Sequence, residues 1–470
     1  MKKLLLLLTC LLTVANAATA VAKAPSPIRL DRSFGTKGKA TIAFPSQSGS
    51  GLGIKYEVPF QFTAGHIEMA SAPGHKLVVA GSTKIVRLAA NGRVDRSFGA
   101  GGAVAIPSLP GVSFVLAGIA VDSLGRVVIA GSVRPLPSST TLDPLRSSVA
   151  VMRFDADGSL DSGFGSGGVL ISDLGFEPPT VPTGKYPGAA VGVRSIAVDL
   201  QNRIVLTGGA VVKASTCGPK GALASAYVAR LAESGALDPS FNGSGVRQIS
   251  DLASAIWVSI TPTGSLFTVD TGNDRCGDEG GGAGVVLSSF NADGSFDPSF
   301  GFSGFRSIRY PQAPTATVAP SGKIVLLGAK RKQGQVIARL LPNGAPDPSF
   351  SRVGKTTLVL PKSMSFAAVD VDQSGRVYLA GRVSRRISKK PNNTLRRSTF
   401  VLGRLNRDGT IDRSPGRRGL LTTGFGGPAS SFATQVIVER RGRIVVGGGI
   451  STPGLSTGGG FAIARYLSDR

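Results

Sequence analysis

Cysteine, histidine and tryptophan are scarce in this sequence, with three, two and one copies among its 470 residues. The two histidines, His66 and His75, are too few for a multi-histidine metal centre. A catalytic serine would need one of them as its base, and no Gly-x-Ser-x-Gly motif marks such a serine. We therefore predict no catalytic residue, no cofactor and no metal ligand from the sequence.

Acidic residues are also few, because 28 Asp and Glu stand against 53 Lys and Arg and give a formal net charge of +25. Sustained helical periodicity is missing, while 64 Gly and 29 Pro supply many turns. With 41% hydrophobic residues, the chain is nevertheless too apolar to be disordered. These proportions exclude a helical protein and indicate a basic, turn-rich, folded one.

The first residues are typical of a secretory signal peptide. Lys2 and Lys3 precede an apolar run over 4–14, and small residues offer cleavage after residue 17, 20 or 24. That run is too short to span a bilayer, and no later stretch approaches the roughly 18 apolar residues of a spanning helix. We predict a signal peptide over 1–20, a linker over 21–29, one domain over 30–470, no transmembrane span, and a secreted or cell-surface location.

Three short phrases recur seven times in a fixed order. The first phrase, Leu-Asp-Arg-Ser-Phe-Gly in its first copy, occupies residues 30–35, 94–99, 160–165, 237–242, 296–301, 346–351 and, decayed, 411–416. The second phrase, of the Gly-Arg-Val-Val-Ile-Ala-Gly type, occupies 76–81, 126–131, 203–208, 265–270, 323–328, 376–381 and 443–448. The third, an apolar run entering a turn, occupies 85–92, 151–158, 228–235, 287–294, 337–344, 402–409 and 463–470.

A further apolar segment, such as 118–122, separates the first phrase from the second, so each repeat carries four strand-like runs bounded by Gly, Asn, Asp and Pro. Repeated four-stranded sheets remove their exposed edges by closing into a ring. The pattern predicts an all-β fold, a seven-bladed β-propeller of four-stranded antiparallel blades. The chain starts with the first phrase and ends with the third, so we expect an N-terminal strand at 39–44 to complete the last blade and close the ring.

An arginine precedes the aspartate of the first phrase by eight residues in five repeats. The constant offset predicts charge-assisted pairs that tie the third strand to the following turn, and ring closure would supply a sixth. The pairs are Arg87–Asp95, Arg153–Asp161, Arg230–Asp238, Arg339–Asp347, Arg404–Asp412 and, through closure, Arg465–Asp31. The fourth repeat has Ser289 before Asp297, so its pair should be missing.

These phrases resemble the delta-60 repeat, a bacterial β-propeller repeat common in secreted proteins, and the resemblance covers residues 30–470. The Ala-Val-Asp segments, such as 197–199, are also similar to the inner strand of NHL-type propellers. That likeness implies the blade order: the Ala-Val-Asp segment innermost, then the second phrase, the third phrase, and the strand after the first phrase outermost. The family brings no general activity or catalytic residue.

The connections between strands vary in length on one face of such a disc, where binding sites usually lie. Cys217 and Cys276 both fall there, in neighbouring blades, so we predict a disulfide, with two free thiols as the alternative. The loop over 382–397 has no acidic residue and is our anion-binding candidate, with a solvated surface loop as the alternative. Its basic residues are Arg382, Arg385, Arg386, Lys389, Lys390, Arg396 and Arg397.

Two acidic segments superficially resemble calcium loops. Residues 155–161 and 291–294 lack the Glu that completes an EF-hand, so we interpret both as turns. The loop containing Asn273, Asp274, Asp278 and Glu279 is denser in acids, and the sequence leaves calcium binding there open.

We predict an exported, non-catalytic binding or scaffold propeller whose partner, unknown from sequence, is an anionic cell-envelope polysaccharide or a protein held on the variable-loop face. Nucleic acid is disfavoured, since export argues against it and the basic loop has no aromatic residue to stack on bases. The main alternative is a propeller enzyme, a lyase or hydrolase with carboxylates and Arg at the central funnel. A third is an envelope component retained by charge.

Overall fold

The computed structural model describes residues 28–44, 67–135, 147–176, 191–213, 223–249, 254–261, 263–272, 284–308, 315–330, 334–387, 396–426, 429–451 and 459–468. They form seven antiparallel sheets, six of four strands and one of five. Each sheet is one blade, and consecutive strands of a blade are neighbours in the sheet. The predicted seven-bladed β-propeller is therefore confirmed.

The first four blades are continuous in sequence. Blade 1 contains β3 (Glu68–Ala72), β4 (Lys76–Ala80), β5 (Lys84–Leu88) and β6 (Ala103–Ala105). Blade 2 contains β7 (Val112–Val121), β8 (Val127–Pro135), β9 (Ser148–Phe154) and β10 (Val169–Ser172). Blade 3 contains β11 (Val191–Val198), β12 (Ile204–Lys213), β13 (Leu223–Leu231) and β14 (Val246–Ile249). Blade 4 contains β15 (Ser254–Ile260), β16 (Leu266–Gly272), β17 (Gly284–Phe290) and β18 (Phe305–Ile308).

The last three blades follow the same order until the ends of the chain meet. Blade 5 contains β19 (Thr315–Val318), β20 (Ile324–Lys330), β21 (Gly334–Leu340) and β22 (Lys355–Leu358). Blade 6 contains β23 (Met364–Val371), β24 (Val377–Arg386), β25 (Arg396–Leu405) and β26 (Leu420–Thr423). Blade 7 contains β27 (Ser430–Glu439), β28 (Arg443–Ser451), β29 (Gly459–Leu467), and the N-terminal β1 (Arg29–Leu30) and β2 (Lys39–Ala43). Two 3₁₀ turns, Pro73–His75 and Arg440–Gly442, join the first two strands of blades 1 and 7.

The ring closes through the N-terminal strands. Lys39 pairs with Ala464 and Ala43 with Gly460, so β2 lies antiparallel beside β29 as the outer strand of blade 7. The short strand β1 extends the same edge, with Leu30 opposite Tyr466. The sequence predicted the strand at 39–44 but not β1.

Contacts between the innermost strands run around the whole ring. Each of β3, β7, β11, β15, β19, β23 and β27 contacts the next one, and β27 returns to β3. The apolar core lies between blades, because side chains of successive sheets pack face to face; one cluster joins Val128 and Val151 of blade 2 to Leu206 and Tyr227 of blade 3. The predicted blade order, with the Ala-Val-Asp strand innermost, is what this packing shows.

Glycines of the second strand accommodate an irregularity in the first. In blade 2 the register shifts between Leu116 and Gly118 of β7, opposite Gly131 and Ala130 of β8. A Cβ at Gly131 would collide with the carbonyl oxygen of Val115. A Cβ would meet a first-strand carbonyl oxygen in the same way at Gly208, Gly381 and Gly448, so glycine lets the two strands approach closely at the bulge in these four blades.

Candidate functional site

Six arginines on third strands bind the aspartate of the turn that follows, at the offset seen in the sequence. We call them junction arginines and junction aspartates. The Nε to Oδ2 distances are 2.8 Å for Arg87–Asp95, 2.6 Å for Arg153–Asp161, 2.7 Å for Arg230–Asp238, 2.7 Å for Arg339–Asp347, 2.6 Å for Arg404–Asp412 and 2.8 Å for Arg465–Asp31. The last pair joins the two ends of the chain.

Each junction arginine also reaches beyond its own aspartate. Arg230 donates through Nη2 to the Ser240 hydroxyl at 2.9 Å and through Nη1 to the carbonyl oxygen of Ala292 in blade 4. Its guanidinium carbon lies 4.8 Å from the centroid of the Phe241 ring. The same stacking, at 4.5–4.7 Å, occurs at Phe98, Phe164, Phe350 and Phe34. Arg230 therefore holds the turn of its own blade through the cation–π contact and reaches the next blade through the hydrogen bond to Ala292.

In several blades a second basic side chain, at the start of the second strand, approaches the junction aspartate. Lys76 Nζ lies 2.8 Å from Asp95, and Lys323 Nζ lies 2.9 Å from Asp347. Arg126 and Arg203 approach their junction aspartates at 3.7 and 3.5 Å. Sequence reasoning missed this contact, although its signal was present as the basic residue that opens the second phrase.

Several junction aspartates are held ionised. Burial by itself raises the pKa of Asp31, but hydrogen bonds from Ser33 and the attraction of the Arg465 guanidinium outweigh burial and leave that pKa below its usual value. The same balance lowers the pKa of Asp238 and of Asp412. These carboxylates are structural anions that stay charged at neutral pH.

The predicted basic loop over 382–397 of blade 6 is largely a β-ribbon, which corrects the expectation that the whole segment is a loop. Strand β24 continues to Arg386 and β25 starts at Arg396, with Arg385 opposite Arg397 and Arg386 opposite Arg396. The ladder persists because Ser384 and Ser398 share a hydrogen bond of 2.8 Å and Val383 is buried beneath it. Lys389 and Lys390 lie outside the described residues.

We call the five described arginines of this hairpin the arginine ribbon: Arg382, Arg385, Arg386, Arg396 and Arg397. Side chains alternate along a strand, so Arg382, Arg386 and Arg396 share one side of the ribbon, and Arg385 and Arg397 share the other. All except the half-buried Arg397 are exposed. The buried Nε of Arg397 has no hydrogen-bond partner among the described residues.

The predicted disulfide cannot be located, because Cys217 and Cys276 lie outside the described residues. The acid-dense segment from Asn273 to Glu279 also lies outside them. In the part of the chain that is described, no three His, Cys, Asp or Glu side chains are grouped as a metal ion would require. Asp157 and Asp293 accept hydrogen bonds from Ser159 and Ser295 within their own turns.

The innermost strands bring together polar side chains of different blades. Asp370 on β23 accepts hydrogen bonds from Thr317 Oγ1 of blade 5 at 3.1 Å and from the Val438 N–H of blade 7 at 2.6 Å. Burial raises the pKa of Asp370 to about 6 despite these hydrogen bonds. The nearby Glu439 of blade 7 accepts a hydrogen bond from Ser71 of blade 1. These contacts join the inner strands of adjacent blades and were not predicted.

Blade 4 contains another buried acid that the sequence did not single out. Asp270 on β16 is fully buried and accepts hydrogen bonds from Thr268 at 3.0 Å and from Ser288 at 2.8 Å, both through Oδ2. Its Oδ1 has no hydrogen-bond partner in the described structure. Burial raises the pKa of Asp270 to about 7. The available signal was Asp270 itself, since the corresponding residue in the other repeats is glycine.

Comparison with known proteins supports the architecture. Residues 76–98, 146–164 and 319–350 match the family model described as a domain of unknown function (DUF5122) β-propeller. No curated protein matches the chain significantly. No helix in the described ranges is sufficiently long and apolar to cross a membrane.

Several solved structures are similar at low identity. A protein of unknown function from Dyadobacter fermentans is 13% identical, with 77% of this chain and 100% of that chain covered and a TM-score of 0.39. A gluconolactonase of Xanthomonas campestris is 13% identical, with 94% and 97% covered and a TM-score of 0.33. A polysaccharide lyase of family PL25, an ulvan lyase, is 9% identical, with 74% and 81% covered and a TM-score of 0.35. At these scores the similarities carry no argument about function. The chain is a β-propeller, and its more specific resemblance to the delta-60 repeat stays a prediction.

Proposed function

We propose that the protein is an exported binding propeller that holds an anionic polymer on its variable-loop face through the arginine ribbon of blade 6. The observation that carries the proposal is the pairing of Arg385 with Arg397 and of Arg386 with Arg396 across adjacent strands. Like charges directly opposite one another destabilise a β-ladder. A bound polyanion would offset this repulsion between the opposed arginines.

The chemistry of the side chain favours carboxylate, sulfate or phosphate groups. A guanidinium presents a planar fork of donors that matches such oxyanions in a bidentate way. Guanidinium groups stand on both sides of the ribbon, so a polymer with repeated charges would contact several of them at once. A polysaccharide of the cell envelope fits this chemistry and the predicted export.

Two acidic side chains near the ring centre, which an enzyme of this fold could use, instead make contacts between blades, and this supports a non-catalytic function. Asp370 bridges strands of blades 5, 6 and 7, and Glu439 contacts Ser71 and, at 3.4 Å, His75 of blade 1. We therefore place the propeller enzyme, with a carboxylate and Arg site at the funnel, second to the binding module.

The proposal is tested by titrating the purified protein with dextran sulfate and polygalacturonate over a range of salt concentrations. Arg382→Glu/Arg396→Glu reverses two exposed charges on one side of the ribbon. It should weaken binding about tenfold or more at low salt and flatten the salt dependence, because fewer oxyanion contacts form.

A matched control has the same change in net charge on the other face. Arg413→Glu/Arg417→Glu alters two exposed arginines of the turn between β25 and β26 in the same blade. This variant should keep wild-type affinity. Equal losses in the two variants would show that overall charge, rather than the ribbon, attracts the polymer and would contradict the proposal.

A further inference from the structure

Blade 4 departs from the other blades at its junction with blade 5. Ser289 replaces the junction arginine, and Ser265 replaces the second cation. Thr261 stands at the position of Asp122, Asp199 and Asp372 in other blades. All three replacements are small hydroxyl side chains, and all three line a single pocket.

The junction aspartate of this blade remains in place without a cation. Asp297 accepts hydrogen bonds from Ser299 Oγ at 2.6 Å through Oδ1 and from Ser289 Oγ at 3.3 Å through Oδ2. No Lys or Arg among the described residues forms an ion pair with it, whereas the other six junction aspartates each bind an arginine.

The other hydrogen-bond acceptors of a junction arginine are also present at the junction of blades 4 and 5. In blade 3 the guanidinium binds a carboxylate, a serine hydroxyl two residues later, and the carbonyl of Ala292 in the next blade. At the junction of blades 4 and 5 the corresponding groups are Asp297, Ser299 and Pro342, and all three line the pocket. The polar shell of an arginine site is therefore present without its arginine.

The pocket is large enough for a small ligand and has an aromatic wall. Its volume is about 430 Å³, within the range of about 300–1,000 Å³ typical of ligand sites. Phe267 lines it and packs edge-to-face on Phe300, with ring centroids 5.1 Å apart. The equivalent pocket between blades 1 and 2 is lined by Lys76 and Arg87. Both cations bind the junction aspartate Asp95, so its charge is already neutralised.

We propose that the pocket between blades 4 and 5 binds the guanidinium group of a ligand from outside the chain. Asp297 supplies the counter-charge, the hydroxyls of Ser289 and Ser299 and the carbonyl of Pro342 accept its N–H groups, and Phe267 faces its planar cation. Arg87 and Arg230 of the same chain show how an aspartate, a serine hydroxyl and a carbonyl of the next blade together hold a guanidinium. The site lies on the face of the short turns, opposite the arginine ribbon, and is independent of polyanion binding.

Isothermal titration of the purified protein with agmatine, guanidinium at low millimolar concentration, and a Gly-Arg-Gly peptide tests the proposal. All three should bind saturably and compete with one another, while sodium and calcium should not displace them. Asp297→Asn should lower agmatine affinity about tenfold or more, because a charge-assisted hydrogen bond is lost. Asp293→Asn, in an exposed turn of the same blade, is the matched control and should bind as wild type.

A second variant fills the pocket with an arginine side chain of the protein itself. Phe267→Val/Ser289→Arg rebuilds the arrangement of blade 5, where Val325 and Arg339 occupy these positions, and should abolish agmatine binding while raising the melting temperature. Stronger binding of the peptide than of agmatine would identify a polypeptide arginine as the ligand, and the reverse would identify a small molecule. Non-saturable binding, displacement by calcium, or unchanged affinity in both variants would overturn the proposal.

Discussion

Individual positions can be compared across seven copies of the same repeat, and Asp270 is an acidic residue at a position that is otherwise glycine. The other six repeats have glycine there, at Gly81, Gly131, Gly208, Gly328, Gly381 and Gly448. In blade 4 the carboxyl is buried with one oxygen lacking a hydrogen-bond partner among the described residues. A buried carboxyl prefers its neutral form, since burial disfavours charge.

This residue should make stability fall as the pH rises. The pKa of Asp270 is raised from 3.8 to about 7, so between these values the folded protein binds more protons than the unfolded chain and its free energy of unfolding decreases with pH. The favourable protonated state is fully present below about pH 4 and is lost by about pH 7. Asp270→Asn should therefore gain stability relative to wild type as the pH rises, measured by denaturant unfolding at pH 5 and pH 8. Identical gains at both pH values would contradict this assignment.

The β24–β25 hairpin shows that a strand can continue beyond the pattern that identifies it. The second and third phrases end at Gly381 and begin at Leu402, yet the ladder extends to Arg386 and Arg396. Backbone hydrogen bonds and the Ser384–Ser398 pair sustain it although arginines face each other. Strand length here is decided by the partner strand rather than by the local composition.

Replacing one arginine by an acid should relieve the repulsion in this hairpin. Arg385→Glu places a carboxylate opposite Arg397 and should stabilise the protein by about 0.2–1 kcal/mol, the range for cross-strand pairs. The same change should weaken polyanion binding, so stability and affinity move in opposite directions. Thermal unfolding measures the first effect and polysaccharide titration the second. Arg385→Gln, without the negative charge, should show a smaller stabilisation.

Ring closure joins a segment near each end of the described chain. Phe34 and Gly35 of the closing segment pack against the turn at Gly92 of blade 1, and the Gly35 N–H donates to the carbonyl of Asn91. The equivalent contact recurs between other blades, as at Phe98 and Gly158. The same residues therefore close the ring and join its interior blades.

Substitutions at two glycines of blade 1 can distinguish the stability that the closing contact contributes from the cost of placing a side chain at positive φ. Gly92 and Gly101 both have positive φ, but a Cβ at Gly92 would lie 2.7 Å from the Gly35 nitrogen and the Phe34 ring, whereas one at Gly101 has nothing within 4 Å. Gly101→Ala should cost about 1–2 kcal/mol for the left-handed conformation. Gly92→Ala should cost about 1–3 kcal/mol more, because it also overpacks the closure. Equal losses on denaturant unfolding would mean that the closing contact contributes little.

The sequence alone determined the number of blades, the order of the strands along the chain, the closing strand and the arginine–aspartate offset. Each of these features depends on a short pattern that recurs in most of the seven repeats, so several copies of the pattern support each prediction. Only the tertiary structure decided that Asp370 bridges three blades and that Thr261, Ser265, Ser289 and Pro342 line one pocket beside Asp297. These groups come from different strands and blades, and only the packing of successive sheets brings them within contact distance.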